Sequence, residues 1–83
     1  MQTNLKPRSD VEAKFRYAFR LAQTRDERTL ALRAATSLAR LLGTDRSRRN
    51  EGREILARTY AQFTEGFASA DLRAAKTLLE GLD

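Results

Sequence analysis

Apolar residues recur along the chain at steps of three and four, the spacing of one face of an α-helix. Val11, Phe15, Ala18, Phe19 and Ala22 form the first such stripe, with Lys14, Arg16 and Arg20 outside it. The spacing predicts a helix over 10–24, opened by a capping box in which Ser9 precedes Glu12 by three residues. Leu30 or Ala31, Ala34, Ala35, Leu38, Leu41 and Leu42 form the second stripe, predicting a helix over about 27–42. Asp26 or Thr24 is its expected cap, and Gly43, which can adopt the left-handed conformation, its stop. The polar run Thr44–Asn50 reads as a connection. Ile55, Leu56, Thr59, Tyr60 and Phe63 carry a third helix up to Gly66, with Phe67 expected to pack back on its last turn. Ser69 caps a fourth, in which Asp71 complements the helix dipole and Leu72, Ala75, Leu78, Leu79 and Leu82 form the stripe.

Strand-type alternation nowhere persists for more than a few residues. The expectation is therefore one all-α domain over 10–83, preceded by a polar segment over 1–9, with four antiparallel helices joined by short loops. A length of 83 residues leaves no room for a second domain.

Set against helical repeats, the stripes show a further regularity. Ala31, Ala34, Ala35 and Leu38 have the spacing 1, 4, 5, 8 of the first helix of a tetratricopeptide unit, with Ala34 and Ala35 at the helix crossing. Val11, Phe15, Ala18 and Phe19 have the spacing of its second helix, as do Gly52, Leu56, Thr59 and Tyr60. The order is second, first, second, first. The segment from Leu32 to Leu41, together with Thr64-Glu65-Gly66-Phe67 and Asp71-Leu72-Arg73-Ala74-Ala75-Lys76, resembles the C-terminal tetratricopeptide tail of bacterial predicted-ATPase proteins, many of them fused to class III adenylate cyclase domains. The resemblance covers residues 11–82. It differs at Arg58 and Gln62, where the family has a Pro and an aromatic, and in the charged connection Asp45–Arg49. It implies a helical-hairpin fold and a scaffold that binds a protein or peptide; it brings no active site with it.

Composition narrows the chemistry. With no His and no Cys, the chain has no zinc site of the Cys/His type, no disulfide, and no His or Cys catalysis. The glycines, at 43, 52, 66 and 81, are too far apart for a phosphate-binding loop. The acidic pairs Asp26-Glu27 and Glu51/Glu54 read as solvated or helix-capping carboxylates. No enzymatic activity, cofactor or metal is expected. Neither an apolar run of membrane-spanning length nor a secretory core is present in the sequence, so the expected location is the cytoplasm, away from membranes.

Charge changes the picture more. The net charge is +5, but residues 1–49 carry +7 and residues 50–83 carry −2. Arg46, Arg48, Arg49 and Arg53 form the densest basic patch. Their bland reading is a solvated connection paired with Asp45, Glu51 and Glu54; the alternative is phosphate contact, which would make the chain a nucleic-acid-binding accessory protein. The aromatic set Phe15, Tyr17, Phe19, Tyr60, Phe63 and Phe67 reads mainly as core, Tyr17 standing off the stripe, with a peptide groove as the alternative.

A repeat array needs about three repeats to bury its stacked faces. Here Phe15 and Phe19 lack a preceding helix and Leu78, Leu79 and Leu82 lack a following one. The expectation is a homodimer, with the +7 half of one copy approaching the −2 half of the other.

Overall fold

Each apolar stripe becomes a helix. In the computed structural model, which describes residues 7–82, these are α1 (Pro7–Thr24), α2 (Arg28–Leu42), α3 (Arg49–Tyr60) and α4 (Ala70–Leu82), with no strand among the described residues. The fold is all-α and built of helical hairpins. Of the polar segment expected over 1–9, residues 1–6 lie outside the described residues, and α1 already contains Pro7 and Ser9. A proline is accommodated in the first turn of a helix, where an N–H has no intrahelical partner to lose, so Ser9 is a helical residue and not a cap.

The turn between α1 and α2 departs from the expected capping. Asp26 has a left-handed φ of 57°, the Asp26 N–H donates to the Gln23 carbonyl and the Glu27 N–H donates to the Ala22 carbonyl. These two bonds make a Schellman motif that closes α1, with Asp26 in the place usually held by glycine. Thr24 stays in α1, its hydroxyl donating to the Arg20 carbonyl. The residue before α2 is Glu27, with no side-chain cap. Gly43 is likewise not left-handed: its φ of −66° and ψ of −16° are helical. Its lack of a side chain serves the neighbouring helix instead, because a Cβ there would come within 2.9 Å of Leu82 Cδ2.

α3 ends at Tyr60, sooner than its stripe suggested, and Phe63 is half-buried against the core from the loop that follows. Phe67 returns to α3 as expected, its ring 5.8 Å from that of Tyr60. Ser69 caps α4, its hydroxyl accepting from the Leu72 N–H at 3.3 Å.

α2 is the central element. Its backbone lies against those of α1, α3 and α4; α3 also meets α4, whereas among the described residues the backbone of α1 approaches that of α2 alone and reaches α3 through side chains. Leu32, Ala35 and Ala39 of α2, Leu56 of α3 and Leu72 and Ala75 of α4 make the core, each almost without solvent exposure. The alanines let three helices crowd α2 at once, since interaxial distance follows side-chain size. Because α1 and α4 do not meet, the helices form an open array and not a closed bundle. The molecule is only 18 Å across its shortest axis.

Candidate functional site

The four residues expected at a helix crossing, Ala31, Ala34, Ala35 and Leu38, are all buried on α2. A close approach of one helix to the backbone of another lies one turn further on: a Cβ at Gly52 of α3 would stand 3.1 Å from Ala39 Cα and 3.2 Å from the Ala39 carbonyl oxygen. The α2–α3 crossing thus centres on Ala39, while Ala34 faces α1, beside Phe15 and Ala18.

The expected basic patch is split by the fold. Asp45 accepts from the Ser47 N–H and hydroxyl, shaping the connection that delivers Arg48 to the start of α3. There Arg48 donates to both carboxylate oxygens of Glu12 on α1, at 2.6 and 2.7 Å, and to Glu51 at 3.1 Å. Arg16 completes a ring, donating to Glu12 at 2.9 Å and to Glu51 at 2.6 Å. Two guanidinium groups and two carboxylates cancel in charge, and the ring ties α1 to the start of α3, which its backbone does not touch. Hydrogen bonds from Arg48, then from Arg16, hold the Glu12 carboxyl down at about 2 against the opposing effect of burial. Arg16 does most to lower Glu51, followed by Arg48. Arg48 is correspondingly committed to protein carboxylates.

Arg49 leaves this ring and donates to the Gly81 carbonyl in the last turn of α4, at 3.0 Å. That contact puts it on the rim of a groove of about 730 Å³ between α2, the start of α3 and α4. The rest of the lining is small and mostly apolar: Gly43, Ala70, Ala74, Leu78, Gly81 and Leu82, together with Thr77. The rim carries Arg40 from α2, Arg49 from α3 and Arg73 from α4, and among the described residues no Asp or Glu lines it. Arg40 and Arg73 make no ion pair among the described residues.

The expected apolar edges are thus distributed unevenly. Leu78 and Leu82 pack on the core and also line this groove, Leu79 packs on the core, and Phe19 packs on the core while lining a groove of about 390 Å³ between α1 and α3. Phe15 lines a second groove, about 480 Å³, with Ala18, Leu21, Leu30 and Ala34 between α1 and α2. Arg46 is exposed in the connection, and Arg53 lies on the exposed side of α3.

Sequence reasoning passed over Arg40 and Arg73. A signal was present: Ala70, Ala74, Leu78 and Gly81 form a second stripe at steps of four and three, beside the core stripe of the same helix, with Arg73 on its border. Among the described residues no group of three or more His, Cys, Asp or Glu side chains is arranged to hold a metal ion, and no helix is long and apolar enough to cross a membrane. The chain matches no family model, no curated protein and no solved structure.

Proposed function

We propose that the chain is a tetratricopeptide-like module that acts by binding protein, and not by catalysis, and that the α2/α4 groove is where it does so. The observation that carries this reading is the groove itself: a largely apolar floor around Leu78 and Leu82, open at Gly81, where a Cβ would meet nothing within 4 Å, with arginines on its rim. Binding sites of this kind join an apolar centre to a few orienting polar groups. Among the described residues, the groove's lining contains no carboxylate, His or Cys from which acid–base or nucleophilic chemistry would be built. The open array adds support, since helical-hairpin repeats bind along the surfaces that stacking leaves uncovered.

The test is a peptide-display library of unbiased charge, selected against the folded protein, with hydrogen exchange used to map the selected peptides. Binders that protect the amides of α4 around Leu78–Leu82 are the expected result. A library that yields no binder at this groove, whatever its charge, overturns the reading.

A further inference from the structure

Resting on the groove as a protein-binding site, we infer that its partner is an acidic amphipathic α-helix, seated with apolar side chains over Leu78 and Leu82 and carboxylates against Arg40, Arg49 and Arg73.

The charge argument comes first. Three helices each contribute a guanidinium to one rim, and no acidic residue among the described ones lines the groove to offset them. Arg16 and Arg48 are committed to Glu12 and Glu51, and Arg33 to Asp71, so carboxylate pairing recurs among the arginines that lie between helices. Arg40 and Arg73 lack such a pair, although they border apolar surface. A planar guanidinium presents a fork of donors that matches a carboxylate, and its attraction grows when apolar contact removes the water between them. Phosphate would answer the charge as well, but a nucleic-acid backbone has no use for the floor beneath it.

The shape argument selects a helix. The groove walls are helical, so between their ends the backbone groups are engaged within the helices, and at the end of α4 the Gly81 carbonyl already accepts from Arg49. An extended peptide would find no sheet edge to complete its own hydrogen bonds, whereas a helix satisfies its backbone internally. The small floor residues let a helix come close, as Ala39 and Gly52 do within the fold.

Two synthetic peptides of about 18 residues test this, each stapled as a helix with leucines at i, i+4 and i+7, one with glutamates flanking the leucines and the other with lysines. The glutamate peptide is expected to bind with micromolar affinity, roughly tenfold or more tighter than the lysine peptide, and to weaken as salt is raised. Arg40→Glu combined with Arg73→Glu should reverse that preference. Gly81→Trp should abolish binding of both, because a side chain at 81 meets nothing within 4 Å and would fill the groove while leaving the fold intact; circular dichroism checks the fold of each variant. Equal binding of the two peptides, no binding of the glutamate peptide, or binding unchanged in both variants overturns the inference. So does duplex DNA binding in place of the peptide and lost with the same arginines, or self-association lost in Gly81→Trp. Should the library give groove binders that are not acidic, the interaction reading stands without this inference. Should it give none, both fall.

Discussion

Gly52 of α3 rests on the backbone of Ala39 in α2 so closely that a β-carbon at 52 would lie 3.1 Å from Ala39 Cα, 3.1 Å from Leu42 Cβ and 3.2 Å from the Ala39 carbonyl oxygen. Glycine inside a helix ordinarily costs about 1 kcal/mol relative to alanine. Here its retention has a packing reason, and α3 holds this position with Arg48 pinned at its start by Glu12.

Gly52→Ala is therefore expected to destabilise the protein despite its better helix propensity. Overpacking costs about 1–3 kcal/mol, against about 1 kcal/mol gained in propensity, for a net loss on the order of 1 kcal/mol and a fall in Tm of about 4–8 °C. Much of the obstruction is backbone, so Ala39→Gly should not rescue it. A Tm raised by Gly52→Ala in thermal unfolding would show that α3 slides freely on α2.

The helices themselves are legible because their stripes are long and their period is clear: the stripe of α2 places it to within a residue at either end, and Ser69 declares the start of α4. The closest crossing is not legible, because Ala34, Ala35 and Ala39 are equally small residues on a helix that is surrounded on several sides. Only the fold reveals that Ala34 turns to α1 and Ala39 to Gly52. In the site, Leu78 and Leu82 follow from their stripe. Arg40, Arg49 and Arg73 come from three helices and are 33 positions apart at the extremes, a juxtaposition that no local pattern encodes. The Glu12–Arg16 spacing of four suits an ion pair within α1, but its extension to Arg48 exists only once the connection folds back.

The Glu12 ring makes stability depend on pH in a definite direction. The Glu12 carboxyl, ordinarily near 4.5, is lowered to about 2 in the folded protein, chiefly by Arg48. A carboxyl lowered in this way contributes stability that is complete above its unfolded value and is lost as pH falls from about 4.5 through about 2. Glu12→Gln should cost on the order of 1 kcal/mol at pH 7, a surface-network magnitude. The difference in Tm between parent and variant should shrink progressively below pH 4.5. A difference that stays constant down to pH 2 would mean that the ring does not form.

At the α1–α2 turn, Asp26 occupies a left-handed conformation that a residue with a Cβ adopts at a cost. Its carboxylate contributes little in return, being 87% exposed and 3.9 Å from Arg28. Asp26→Gly is expected to raise stability by about 0.5–1 kcal/mol, the relief of strain outweighing the greater freedom of an unfolded glycine. A lower Tm for this variant would assign the carboxylate a contribution beyond that ion pair.

The expected homodimer should use the α1 side of the molecule. Pairing the basic half of one copy with the C-terminal half of another is disfavoured at the α2/α4 groove, where the charged lining residues among those described are all arginine. The α1/α2 groove has no such obstacle: Phe15, Leu21 and Leu30 line it, Leu30 is 47% exposed, and its charges are of both signs, with Arg25 and Arg33 beside Glu27. Two copies related by a twofold axis would set Phe15 and Leu30 of each against the other, an isologous contact that closes on itself and leaves both α2/α4 grooves accessible. Burying a leucine or phenylalanine is worth roughly 1.5–3 kcal/mol, so several such side chains on each side suffice for association in the micromolar range. Sedimentation equilibrium should show a mass rising above 9.4 kDa with concentration. Phe15→Ser with Leu30→Ser should return the protein to monomer at undiminished helicity, while Arg40→Glu with Arg73→Glu should leave the dimer in place. A mass fixed at 9.4 kDa would refute the dimer, and dissociation by the arginine pair instead would move its interface to the groove under Leu78 and Leu82.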